Sequence, residues 1–167
     1  MSGHCSMEAN PLGAAYYADQ ATQVAATVVE NIELASGTYR VRLEAPELAR
    51  RVAPGQFLML RLAGSSDPLL GRPLALYDTW LDADGTPRGV DVVYMVVGRM
   101  TSRLAQVKAG EGIETWGPLG NGFSTEPVDH LIMVAGGIGQ TPFLALGREA
   151  LGGRDYGTAG RRPLRAQ

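Results

Sequence analysis

The chain has 167 residues, of which 45% are hydrophobic and 19% charged, and it carries a formal net charge of −2. That balance fits a folded chain holding one domain, or one domain and part of another, and it offers no basic excess for a nucleic acid or an anionic membrane surface. The single cysteine, Cys5, rules out an internal disulfide and any cysteine-ligated zinc or iron–sulfur site built by this chain alone.

Residues 1–20 read as an N-terminal extension. The opening "MSGHCSMEANPLGAAYY" has neither a basic start nor a continuous apolar core, so it is no secretory signal, and no run approaches the about 20 apolar residues of a membrane span. The expected location is the cytoplasm. His4 beside Cys5 gives two metal-binding side chains on a terminus, too few for a site.

Strand signals then come quickly. "QVAATVVENIEL" (23–34) is β-branched, and "TYRVRLEA" (38–45) alternates Tyr39, Val41 and Leu43 against Arg40, Arg42 and Glu44, with "ASG" as the hairpin turn between them. A helical turn is expected over 46–51, then "FLMLRL" as a third strand after the turn "PGQ". "RPLALYDTW" (72–80) and "VDVVYMVV" (90–97) read as two further strands joined through "DADGTPRG". "TSRLAQV" (101–107) has helical spacing with Thr101 as the expected cap, and "EGIETWG" makes a sixth strand. The fold class is therefore mainly β: a six-stranded antiparallel Greek-key barrel over 21–125. After the linker "STEPVD", residues 128–167 read as the first β-α unit of an incomplete α/β nucleotide-binding domain. Its strand would be "LIMVA", its helix would run from Thr141 to about Leu151, and the remainder, "GGRDYGTAGRRPLRAQ", shows no periodic apolar face.

Four stretches carry candidate chemistry. In "GGIGQTP", Gly136, Gly137 and Gly139 let backbone amides approach a pyrophosphate, with Thr141 as cap and Pro142 in the first helical turn; the plain alternative is a strand-to-helix turn that binds nothing. "GRPLAL" puts one arginine, Arg72, at the start of an apolar strand, where its fork suits a phosphate, although a lone arginine there is more often simply solvated. "YMVVGRMTSRL" ends a strand in glycine and opens a helix near Thr101. "WGPLGNGF" packs three glycines and a proline into eight residues, a rigid loop or an ordinary turn.

In their order, "RPLAL", "YMVVGRMT", "GPLGNGF" and "AGGIGQTP" resemble the ferredoxin-reductase-like flavoproteins, and within them the electron-transfer subunits of heterodimeric NAD-linked dihydroorotate dehydrogenase, from about Val24 to Leu151. The resemblance implies a barrel that binds FAD, an α/β domain that binds NAD(H), and a two-iron two-sulfur cluster that exchanges electrons with a catalytic dihydroorotate dehydrogenase subunit. It implies Arg72 on the FAD pyrophosphate, with Pro73 fixing how the strand begins, Leu74 and Ala75 along the flavin, and Val93, Tyr94 and Met95 bordering the ring and ribityl chain. Met100 and Thr101 would meet the phosphates, and no side chain need act as general acid or base.

Three departures qualify this. Ala75 stands where the family usually has serine, Met100 where the "GxGT" pattern has its second glycine, and the cluster's cysteines are absent, as is most of the nucleotide domain. A truncated subunit that does not complete electron transfer alone is therefore expected. Two alternatives remain: a reductase subunit serving another sulfide- or ferredoxin-linked complex, and a barrel that binds a partner without flavin.

Overall fold

The computed structural model describes residues 21–123 and 128–157. The expected N-terminal extension with His4 and Cys5, most of the "STEPVD" linker and the last ten residues lie outside them. Six antiparallel strands close a barrel: β1 (Thr22–Ala35), β2 (Thr38–Glu44), β3 (Phe57–Leu62), β4 (Arg72–Leu81), β5 (Pro87–Met95) and β6 (Gly112–Leu119). Their order around the barrel is β1-β2-β5-β4-β3-β6. β1 is long enough to pair with β2 through Thr27–Ala35 and with β6 through Thr22–Thr27, so one strand joins both edges of the sheet and leaves none open.

Alternation decides which residues fill the interior. Val41 and Leu43 of β2, Leu58 and Leu60 of β3, Leu76 of β4, Val90 and Val92 of β5 and Ile113 of β6 have no exposed surface, while the residues between them in β2 and β3 remain half-buried. β5 departs from the rule and is buried on both faces from Gly89 to Tyr94. Part of that cover is α1 (Pro46–Ala49), a single turn started by proline, whose Leu48 and Ala49 join the core with Val52. Gly89 is required by close approach: a Cβ there would lie 1.9 Å from the Leu43 carbonyl, which accepts the Trp80 indole N–H at 3.0 Å.

Two expectations at helix starts are corrected. α2 (Arg99–Leu104) begins two residues before Thr101, with Gly98 in the capping position. The Thr101 hydroxyl reaches back, accepting from the amides of Val97 and Gly98 at 3.1 Å each and donating to the Gly98 carbonyl at 3.0 Å. Likewise α3 (Phe143–Ala150) is preceded by a 3₁₀ turn (Gly137–Gln140) that runs straight into it, so Thr141 already has helical angles and caps nothing with its side chain.

The expected strand "LIMVA" does not form. Residues 131–135 follow no ladder, and Ile132 and Val134 are each 85% exposed. No strand among the described residues runs beside this segment, and an isolated strand has no partner for its amides and carbonyls. The chain beyond it is nevertheless anchored: α3 packs on β4, and Ala145 and Tyr156 belong to the same core cluster as the barrel interior.

Candidate functional site

β4 and β5 are neighbours, but their pairing stops at Leu76 and Val92. Before Leu76, β4 pairs with β3, from Arg72 opposite Leu60 to Ala75 opposite Phe57. After Val92, β5 pairs with β2, from Val93 opposite Arg40 to Met95 opposite Thr38. The two strands therefore part, and the facing edges of residues 72–75 and 93–95 have no ladder across the gap. A cavity of about 520 Å³ opens there, within the range of small-molecule and cofactor sites.

The cavity wall brings together all nine barrel candidates: Arg72, Pro73, Leu74 and Ala75 from β4, Val93, Tyr94 and Met95 from β5, and Met100 and Thr101 from α2. From the glycine turn it takes Gly139 and Thr141, with Ile138 and Pro142, but neither Gly136 nor Gly137. Reasoning from sequence passed over Val97, Gly98 and Arg99, which also line it. The signal was within reach, since all three lie inside the quoted "YMVVGRMT" stretch.

Most of the lining is apolar, and its charged groups are two guanidiniums. Arg72 is exposed; its Nη1 donates to the Gly71 carbonyl at 3.2 Å, and no carboxylate pairs with it among the described residues. Arg99 pairs with Asp67 at 2.8 Å, an exposed contact that an incoming anion can displace at small cost. Thr101 is buried, and its hydroxyl is occupied by the Val97–Gly98 backbone, so it shapes the turn into α2 rather than offering an oxygen to a ligand.

Met100 is 2% exposed and sits in the barrel's core cluster. Its side chain is thus part of the wall's foundation. Tyr94 is similar: the ring stacks on Tyr39 with centroids 5.8 Å apart, and the hydroxyl donates to Asn31 Oδ1 at 3.1 Å. Asn31 in turn donates to the carbonyls of Leu104 and Val107, tying the end of α2 to β1. Burial, offset in part by the Asn31 hydrogen bond, pushes the Tyr94 hydroxyl up to about 12, so it stays protonated at neutral pH.

The glycine turn is exposed, and a Cβ at Gly136, Gly137 or Gly139 would meet nothing within 4 Å; only Gly137, at φ +56°, has a backbone angle that favours glycine. "GPLGNGF" does not line the cavity. It is stitched instead to the turn before β3, with the Phe123 amide donating to the Pro54 carbonyl at 2.9 Å and Gln56 Nε2 to the Gly120 carbonyl at 2.8 Å.

Four residues that no motif announced meet at Asp78, on β4. Its buried carboxylate accepts from the Thr79 amide at 2.9 Å, the Tyr156 hydroxyl at 2.6 Å, Arg154 Nη1 at 3.1 Å and Arg148 Nη1. No group of three or more metal-ligating side chains occurs among the described residues.

No protein-family model matches the chain. Curated relatives do. It is 37% identical over 118 residues to the dihydroorotate dehydrogenase B (NAD(+)) electron transfer subunit of Desulforamulus reducens, covering 70% of this chain and 43% of the relative. It is 38% identical over 125 residues to that of Bacillus velezensis, covering 73% and 47%. The chain thus spans just under half the length of these relatives. Among solved structures, an Amycolatopsis cytochrome P450 reductase aligns with a TM-score of 0.64 at 26% identity, over 79% of this chain and 40% of that one. Phthalate dioxygenase reductase shares the fold at a TM-score of 0.61 and 19% identity, over 86% and 42%. With a closed antiparallel barrel of this order, the chain has the ferredoxin-reductase-like fold, and in sequence it is similar to the dihydroorotate dehydrogenase B electron-transfer subunits.

Proposed function

We propose that this chain supplies the FAD-binding barrel of an electron-transfer subunit that passes electrons between NAD(H) and a catalytic dihydroorotate dehydrogenase subunit in pyrimidine biosynthesis. The observation that carries the reading is the cavity between the parting ends of β4 and β5, whose wall collects Arg72, Leu74, Ala75, Val93, Tyr94 and Met95 from the strand ends that part.

The donor set fits the cofactor. Apolar side chains and unladdered backbone edges suit a flat heteroaromatic ring whose rim carries donors and acceptors. Two guanidiniums suit a diphosphate, because arginine forks match phosphate oxygens. FAD bound there would supply the redox chemistry, taking up a hydride and releasing single electrons. The protein's part is to hold and orient. Arg72 and Arg99 neutralise the diphosphate, Pro73 to Ala75 and Val93 to Met95 border the ring, and Thr101 fixes the turn into α2. Ala75 offers no hydroxyl, so any hydrogen bond at that point of the ring comes from backbone.

Gly139 and Thr141 reach the cavity and would bring a pyridine nucleotide toward the ring; Gly136 and Gly137 would contribute amides on the outer side of the turn. A two-iron two-sulfur cluster does not fit this chain, which has one cysteine where four thiolates are needed. No helix among the described residues is long and apolar enough to cross a membrane, and the proposed location is the cytoplasm.

The test is a visible spectrum of the purified protein after incubation with FAD and desalting. Flavin bands retained at about one per chain, and bleached by dithionite, support the reading. A colourless protein, with no binding in a fluorescence titration of FAD, would sink it in favour of a barrel that binds a partner alone.

A further inference from the structure

We propose that Asp78 is a positioning residue: it latches the glycine turn over the mouth of the flavin cavity by pinning α3 and the segment after it to β4. This rests on the flavin and pyridine-nucleotide reading above for its consequence, though not for its geometry.

The turn cannot place itself. Its own hydrogen bonds are internal, from the Gly139 amide to the Gly136 carbonyl at 3.2 Å and from the Thr141 amide to Ile138 at 3.1 Å. Residues 131–136 ahead of it and 137–140 within it are all exposed. Where Gly139 and Thr141 sit over the cavity is therefore decided downstream, by α3, which starts at Phe143 and turns its Ala145 into the barrel core. Ala145 and Tyr156 provide the apolar contact with the barrel core, while Leu146 and Ala150 are buried in a small cluster of their own.

Three of its polar contacts converge on one carboxylate. Asp78 lies three residues beyond Ala75 on the same strand, 5% exposed. Its donors Arg148, Arg154 and Tyr156 stand 70, 76 and 78 residues away in sequence, on α3 and the seven residues after it. Arg154 also donates to the Thr79 carbonyl, so the segment is tied to β4 at two successive residues. Burial, then the bond to Asp78, hold the Tyr156 hydroxyl protonated and thus a donor. A buried carboxylate costs free energy unless its oxygens are satisfied, and here every long-range donor comes from the far side of the turn. Within the barrel the carboxylate accepts one bond, from the adjacent Thr79 amide, and its charge acts at longer range on Arg42. Its other partners all hold α3 and the segment after it.

Asp78→Asn keeps the shape and removes the charge, leaving Arg148 and Arg154 without their shared partner. Hydrogen exchange on the 167-residue chain reads the outcome without any ligand. Amides of 137–157 are expected to exchange about tenfold to a hundredfold faster, the equivalent of one or two charge-assisted bonds, while β2 and β5 keep their protection. If Asp78→Asn does not fold, Arg154→Gln, on the outer side of the contact, gives the same regional signature. In FAD-loaded protein the affinity for FAD should stay within about twofold, and bleaching by NADH should slow by about the same factor as exchange quickens. Unchanged exchange over 137–157 in a folded variant, or an increase spread evenly over the barrel strands, overturns the proposal. If the parent chain binds no FAD, the functional reading fails, and the exchange result still decides the latch.

Discussion

Truncating Met100 tests whether the cavity wall and the barrel core are one structure. Met100 is 2% exposed, belongs to the core cluster and also lines the cavity. Replacing a fully buried methionine by alanine removes its contacts and leaves a void, at a cost of about 2–5 kcal/mol. Glycine at the same position in α2 adds about 1 kcal/mol of helix cost. Against the 5–15 kcal/mol typical of a folded domain, either is a large fraction. At about 2–4 °C per kcal/mol for a chain of this size, Met100→Ala should lower Tm by roughly 5–20 °C, with Met100→Gly lower still. Circular dichroism melts with and without excess FAD are the assay, and FAD titrations of both variants should show weaker binding, since the wall they disturb is shared. Glycine is the residue that the "GxGT" pattern would place there. If Met100→Gly binds FAD more tightly and melts no lower, the side chain obstructs the site, and its assignment to the core is wrong.

Three other outcomes are expected. Arg72→Ala should weaken FAD binding by about tenfold to a hundredfold, the value of a lost charge-assisted contact, and an unchanged dissociation constant would remove Arg72 from the diphosphate. The Tyr94 hydroxyl titrates at about 12 in the fold against an ordinary value of 10, so it favours folding below pH 10 and that contribution is lost as pH rises from 10 to 12. Denaturant titrations across that window should fall less steeply with pH in Tyr94→Phe, though not become flat, because Tyr156 is shifted the same way. Ile132 and Val134, each 85% exposed beside Leu131 and Met133, form an apolar strip; Ile132→Lys with Val134→Lys should reduce self-association in light scattering and leave Tm nearly unchanged, and a parent chain already monomeric at high concentration would refute this.

The barrel was legible because its strands obey one rule at a time. Tyr39, Val41 and Leu43 alternate with charged residues, and a strand with one wet face announces itself. β5 differs: "VDVVYMVV" is apolar at every position but Asp91, which suits a strand covered on both sides. The helix starts were misread because side-chain propensity was used where backbone geometry decides. Threonine is a good cap, but Thr101 does its capping from the third helical position, reaching backward to Gly98. The cavity residues came from resemblance rather than periodicity. Nothing in "RPLAL" or "YMVV" states that their strands stop pairing at Leu76 and Val92. That parting, with β3 and β2 holding the outer edges while the facing edges stay unpaired, is a property of the closed sheet.

The segment from 131 to 157 shows where local reading runs out in both directions. "LIMVA" has the composition of a buried strand, yet composition specifies only what a strand would gain from neighbours, and no neighbour runs beside it among the described residues. The stretch "GGRDYG" shows no periodic apolar face, yet it supplies Arg154 and Tyr156 to a buried carboxylate more than seventy residues earlier. Its signal was chemical rather than periodic: an aspartate, Asp78, in the middle of an otherwise apolar strand needs donors, and the strand's neighbours leave it three to find. Burial of a charge in a barrel wall thus predicts a distant arginine as surely as alternation predicts a strand, but it cannot say which one. Here the answer ties the segment after the glycine turn to β4 at Asp78 and Thr79, so the geometry over the cavity depends on a residue that lines no part of it.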